Sequence, residues 1–127
     1  MRIACVGGGP AGLFFSILAS RLGKGHQVTV YERSPAGVTY GWGVVFWNDL
    51  LAQLDARDPL TAQAVRAQAY RWEDQLLDVS NRAPVRIPGH GYSMARQTLL
   101  GLLAERATDL GVDVRYEHEV REPSDVG

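Results

Sequence analysis

The sequence predicts an α/β fold built on a parallel sheet with a right-handed first crossover, and three observations carry that reading. A short apolar run, Arg2 to Val6, ends in the glycine turn Gly7-Gly8-Gly9-Pro10-Ala11-Gly12. Apolar residues at helical spacing follow from Pro10 to about Leu22. A second, β-branched run, Gln27 to Glu32, comes next, so strand, helix and strand succeed one another within the first 32 residues.

Each element has its own justification. Arg2–Val6 is apolar and glycine-bounded, which reads as a strand buried within the sheet, with Cys5 as a small buried hydrophobe. Leu13, Phe14, Ile17, Leu18 and Leu22 form the apolar stripe of the first helix, with Pro10 in its first turn and Gly23 as its stop. Gln27–Glu32 is a strand ending in an acid. Arg33 to Gly43 contains Pro35, Gly37, Gly41 and Gly43 and reads as a loop. Asn48 or Asp49 caps a helix carrying Leu50, Leu51 and Leu54, and Asp58-Pro59 opens another that reaches about Ala69. Tyr70–Val79 and Pro84–Ile87 are extended segments joined by Ser80-Asn81-Arg82 as a hairpin, with Glu73, Asp74 and Asp78 on its solvent face and Trp72, like Trp47, in a packing role. Ser93 precedes a helix from Met94 to Leu110, with Leu99, Leu103, Ala107 and Leu110 on one face and Gly111 as its stop. Val112–Tyr116 alternates as a third strand.

Composition bounds the function. The 127 residues suit one domain, 46% hydrophobic and 21% charged residues are ordinary for a globular chain, and no internal repeat interrupts it. A net charge of −1, from 13 basic and 14 acidic residues, leaves no excess to neutralise nucleic acid or an anionic membrane, so neither is an expected partner. The single Cys5 cannot form an intrachain disulfide, which fits a reducing compartment. The mostly uncharged Ile3–Ser20 stretch is broken by Gly7–Pro10, so it reads neither as a signal peptide nor as a membrane span, and a cytoplasmic location is expected. His26, His90 and His118 share no ligand spacing, so no metal site is expected.

The glycines are unevenly spread: nine of the 14 fall in the first 43 residues. Gly7, Gly9 and Gly12 fit G-x-G-x-x-G, in which the first permits the tight turn, the second lets a pyrophosphate approach the backbone, and the third lets the helix pack closely on the sheet. The helix N-terminus beginning at Pro10 and Ala11 adds uncapped N–H groups and a positive dipole end. Glu32, twenty residues beyond Gly12 at the end of the next strand, is placed to accept hydrogen bonds from ribose hydroxyls. Its charge repels a 2′-phosphate, so the turn reads as a site for FAD or NAD rather than NADP.

With these residues in hand, together with Tyr31-Glu32-Arg33, the loop Tyr40-Gly41-Trp42-Gly43-Val44-Val45-Phe46, Gly89-His90-Gly91, and Arg96 followed by Leu99 and Leu103, the chain resembles the N-terminal part of flavin-dependent aromatic monooxygenases of the para-hydroxybenzoate hydroxylase type. Within that family it is most similar to the group of salicyloyl-CoA 5-hydroxylase and 2-aminobenzoyl-CoA monooxygenase, from Met1 to about Val120. The resemblance implies a Rossmann-type FAD-binding βαβ core with a helical excursion and a β-hairpin. Residues 1–127 would be its truncated N-terminal portion, without the substrate domain or the second FAD motif.

By the same resemblance, FAD would meet Glu32 with its ribose and Gly9, Pro10, Ala11 and Gly12 with its pyrophosphate. Arg33 would approach the adenosine or phosphate end, and Arg96 would reach the cofactor with paired hydrogen bonds. Trp42, Gly43 and Val44 would lie against the flavin ring. NADH or NADPH would serve as transient reductant, and the substrate would be a small aromatic molecule, with an aromatic CoA thioester the leading candidate. No catalytic residue is assigned, because the flavin carries the oxygen chemistry. Gly41-Trp42 stand where many relatives place an arginine, so that arginine's phosphate contact does not transfer. The Gly7–Glu32 fingerprint leaves two alternatives open: an NAD-binding dehydrogenase, and a truncated nucleotide-binding module without turnover.

Overall fold

The computed structural model describes residues 1–23 and 25–126. In chain order the elements are β1 (Arg2–Val6), α1 (Pro10–Leu22), β2 (Gln27–Tyr31), β3 (Gly43–Phe46), α2 (Asn48–Arg57), α3 (Pro59–Gln68), β4 (Tyr70–Leu77), β5 (Val85–Ala95), α4 (Arg96–Asp109) and β6 (Asp113–Arg115). They build two three-stranded sheets. One is parallel, in the order β1-β2-β6, and the other antiparallel, in the order β3-β5-β4.

The parallel sheet is covered on one face. Ile3, Cys5, Val28, Val30, Val112 and Val114 pack against Leu13, Ile17 and Ala19 of α1 and Leu103 and Ala107 of α4. Period-two alternation thus delivers one side of each strand to two helical stripes. A second core joins Phe46 and Met94 of the antiparallel sheet to Leu51 and Leu54 of α2 and to Ala62 and Val65 of α3. Phe14 and Leu99 touch both cores.

A buried carboxylate fastens the two units. Asp58, fully enclosed just before α3, accepts hydrogen bonds from Arg106 Nε at 2.9 Å, Arg106 Nη2 at 3.0 Å and Thr61 Oγ1 at 2.7 Å, and it also pairs with Arg21. α1, α3 and α4 therefore meet on one side chain. Burial pushes the Asp58 carboxyl up, but the Arg106 and Thr61 hydrogen bonds and the charges of Arg106 and Arg21 overcome this and hold it down to about 2.

Several expectations need correction. β1 is parallel as expected but not buried: it is an edge strand whose residues alternate between exposed and half-buried, and the centre goes to β2, with Val28, Val30 and Tyr31 enclosed. Leu22 is 84% exposed, and Ser16 and Ala19 take its place in the stripe. Ser16 tolerates burial because its hydroxyl donates to the Gly12 carbonyl at 2.8 Å. Gly23 ends α1 in extended backbone, whereas Gly111 beyond α4 takes the left-handed conformation (φ +80°) that favours glycine. The α2 cap position is Trp47, not Asn48 or Asp49, and no side chain closes it.

Gly43–Phe46 is a strand rather than loop, because Val44 and Phe46 pair with Met94 and Tyr92 above the second core. β5 is far longer than Pro84–Ile87. It takes in Gly89-His90-Gly91, Ser93 and Met94, with Gly91 and Ser93 paired to β4 and Ser93 and Met94 to β3, so α4 starts at Arg96 instead of Met94. The hairpin turn is where it was expected, with Asn81 at φ +66°.

Candidate functional site

The glycine turn is explained residue by residue. Gly7 has φ +104° and donates its N–H to the Tyr31 carbonyl at 2.8 Å, which locks the turn to the end of β2. A Cβ on Gly12 would stand 2.0 Å from the Gly7 carbonyl oxygen, so the helix can pass there only without a side chain. A Cβ on Gly9 would meet no atom within 4 Å: it would point into open space. No side chain caps α1 and no acid lies in its first turn, so the N–H groups of Ala11 and Gly12 await an outside acceptor.

Glu32 faces this turn. One carboxylate oxygen accepts the Gly8 N–H at 2.7 Å and the other the Ser34 N–H at 2.8 Å. Burial raises its pKa, but these backbone hydrogen bonds and the Arg33 charge outweigh it, and the acid sits below the usual carboxylate range, ionised at neutral pH. Gly8, unassigned from sequence, is what lets Glu32 in: a Cβ there would lie 2.9 Å from the Glu32 Cβ. Behind it, the Glu32 N–H donates to the Arg115 carbonyl at 2.8 Å, and the His118 N–H donates to the Glu32 carbonyl at 2.9 Å. Glu117, between them, adopts φ +56° and donates to the Ser34 carbonyl at 3.2 Å.

These parts border a cleft of about 450 Å³ between the glycine turn, the segment after β2, the first half of α4 and Tyr116. Gly9, Glu32, Arg33 and Arg96 all line it. Arg96 Nε is buried without a hydrogen-bond partner, and the Arg96 N–H donates to the Trp42 carbonyl at 3.4 Å. Gln97 Nε2 donates to the Gly37 carbonyl at 2.9 Å and ties the loop to α4. Burial, then the Glu32 charge, pushes the Tyr116 phenol above its ordinary value.

Of the residues expected from sequence, Gly7, Pro10, Ala11 and Gly12 form the turn itself, while Gly9, Glu32, Arg33 and Arg96 converge on the cleft. Trp42, Gly43 and Val44 do not join them. Trp42 is 99% exposed, Gly43 pairs with Ala95 in the antiparallel sheet, and Val44 packs on the second core. Gly8, Ser34, Gln97, Gly101 and Tyr116 were missed. The run of three glycines was a signal for Gly8; the others carry none in sequence, because their place depends on how α4 and β6 meet the turn.

Among the described residues no group of three His, Cys, Asp or Glu could hold a metal ion, and no helix is long and apolar enough to cross a membrane. His90 lies on β5 with Nε2 2.5 Å from Asn48 Nδ2, away from the cleft.

Fold and cleft together define an α/β domain with a parallel sheet and an open cleft beside its glycine turn, a fold shared with flavin-dependent enzymes. A solved structure of CtdE in complex with FAD shares this fold, with a TM-score of 0.77 and 23% identity over 96% of this chain and 31% of that one. The chain is 39% identical over 127 residues to salicyloyl-CoA 5-hydroxylase from a Streptomyces species. It is 34% identical over 125 residues to 3-hydroxy-4-methyl-anthranilyl-[aryl-carrier protein] 5-monooxygenase from Streptosporangium sibiricum. These alignments cover 99% and 98% of this chain but 24% and 35% of the relatives, so it spans about a quarter to a third of their length. No family model matches the chain.

Proposed function

We propose that the cleft binds FAD and that the chain is the FAD-binding N-terminal part of a monooxygenase. That enzyme hydroxylates an aromatic ring carried as a CoA or carrier-protein thioester, with NADH or NADPH as reductant, in the cytoplasm. One observation carries the cofactor reading: Arg96 Nε is buried without a partner on a cleft that also holds the open side of Gly9. A buried guanidinium nitrogen left unpaired is costly, and a phosphate oxygen satisfies it with a charge-assisted bond. The donor set fits a dinucleotide. The N–H groups of Ala11 and Gly12 and the Arg96 side chain would hold the pyrophosphate, Arg33 would add positive charge, and Glu32 would accept from the ribose while repelling a 2′-phosphate.

The bound flavin supplies, once reduced, the activation of O2 and oxygen transfer to the ring. This chain's part is binding and orientation. It is proposed to have no turnover alone. Titration with FAD, followed by flavin fluorescence and with NAD+ as competitor, tests the reading. FAD should bind more tightly than NAD+; the reverse order would make this an NAD site. For the longer parent enzyme, purification without flavin would refute the monooxygenase reading.

A further inference from the structure

Gly101 stands in the interior of α4, where glycine is the poorest helix former after proline. Among the described residues nothing requires it there. Its φ is not positive, it is far from either cap, and a Cβ would meet no atom within 4 Å. Yet it lines the cleft one helical turn beyond Gln97 and on the same face. Among the cleft's glycines only Gly9 shares that emptiness; Gly8 is crowded by Glu32, and Gly37 has a positive φ.

Resting on the cofactor reading above, we infer that Gly101 is a ligand-contact position, where the nucleotide cofactor lies against bare helix backbone. The N–H groups at mid-helix are all used in the helical ladder and offer an anion no donor. The part of the ligand that rests on Gly101 is therefore a sugar or ring, next along from the phosphate held by Arg96.

The test pairs two readouts on the full chain. Gly101→Ala and Gly101→Leu should raise the melting temperature of the ligand-free chain by a few degrees, since either residue favours helix over glycine. Gly101→Leu should weaken FAD binding at least tenfold by fluorescence titration, and Gly101→Ala by less. A drop in melting temperature would show that the chain itself needs the glycine, and unchanged FAD affinity in Gly101→Leu would show that the ligand does not; either overturns the inference alone. A wild-type chain that binds neither FAD nor ADP would overturn the cofactor reading as well.

Discussion

The parallel and antiparallel units use glycine differently. In the parallel unit Gly12 faces a backbone carbonyl, with its missing Cβ 2.0 Å from the Gly7 oxygen. In the antiparallel unit Gly91 faces a side chain, with its missing Cβ 2.2 Å from the Trp72 ring. A backbone clash has no cheap relief, whereas an indole can turn aside, above all when its neighbour Trp47 meets it edge-on at 6.3 Å and is half exposed. The glycine turn beside the cleft thus has, at Gly12, a position that cannot yield, whereas the hairpin has, at Gly91, one that can.

The largest expected effect probes the joint between them. Asp58→Ala strands Arg106 and Arg21 without their carboxylate and should cost about 4 kcal/mol in chemical denaturation. A single transition at lower denaturant is expected; two separate transitions would mean the units fold independently. The same residue sets an acid response. Its pKa is lowered from 3.8 to about 2 on folding, so its contribution is complete above pH 4 and is lost as pH falls towards 2. Asp58→Asn should remove that part of the acid dependence, measured as denaturation midpoint against pH.

The next largest effects test the glycine contrast itself. Gly12→Ala should destabilise by about 3 kcal/mol and Gly91→Ala by about 1 kcal/mol, and equal costs would dissolve the distinction. Glu32→Ala separates binding from stability within the parallel unit: FAD binding should weaken by about 2 kcal/mol in titration calorimetry, the order of one charged hydrogen bond. Unchanged affinity would leave Glu32 only its role of holding Gly8 and Ser34. Trp42→Ala, at a wholly exposed position, should change thermal stability by no more than about 0.5 kcal/mol.

Legibility in the sequence follows the same division. Gly7, Gly12 and Glu32 could be read because local geometry dictates them: a positive φ, a helix passing a carbonyl, an acid at a strand end. Arg96 came through resemblance, and its orphaned nitrogen needed the packed structure. Gly43–Phe46 was misread because two glycines nearby outweighed a four-residue alternation whose partner, β5, lies some fifty residues on. β5 was cut short because Pro88 and two glycines within it, Gly89 and Gly91, resemble turn signals, although pairing with β4 resumes at Gly91 and β3 joins from Tyr92. β1 was misplaced because apolar character cannot tell a central strand from an edge strand with one covered face.

The two rims of the cleft differ in how firmly they are set before a ligand arrives. Glu32 and the chain behind it are already stitched by the Gly8, Ser34, Arg115 and His118 hydrogen bonds. The opposite rim, residues 35–42, reaches α4 through Gln97 and the Arg96 N–H. Most of the conformational entropy lost on complex formation therefore falls on that loop, while the acid side is preorganised and contributes affinity at little ordering cost. On the FAD-binding proposal, the rate of capture and release is accordingly a property of the 35–42 loop and its Gln97 tether more than of the glycine turn.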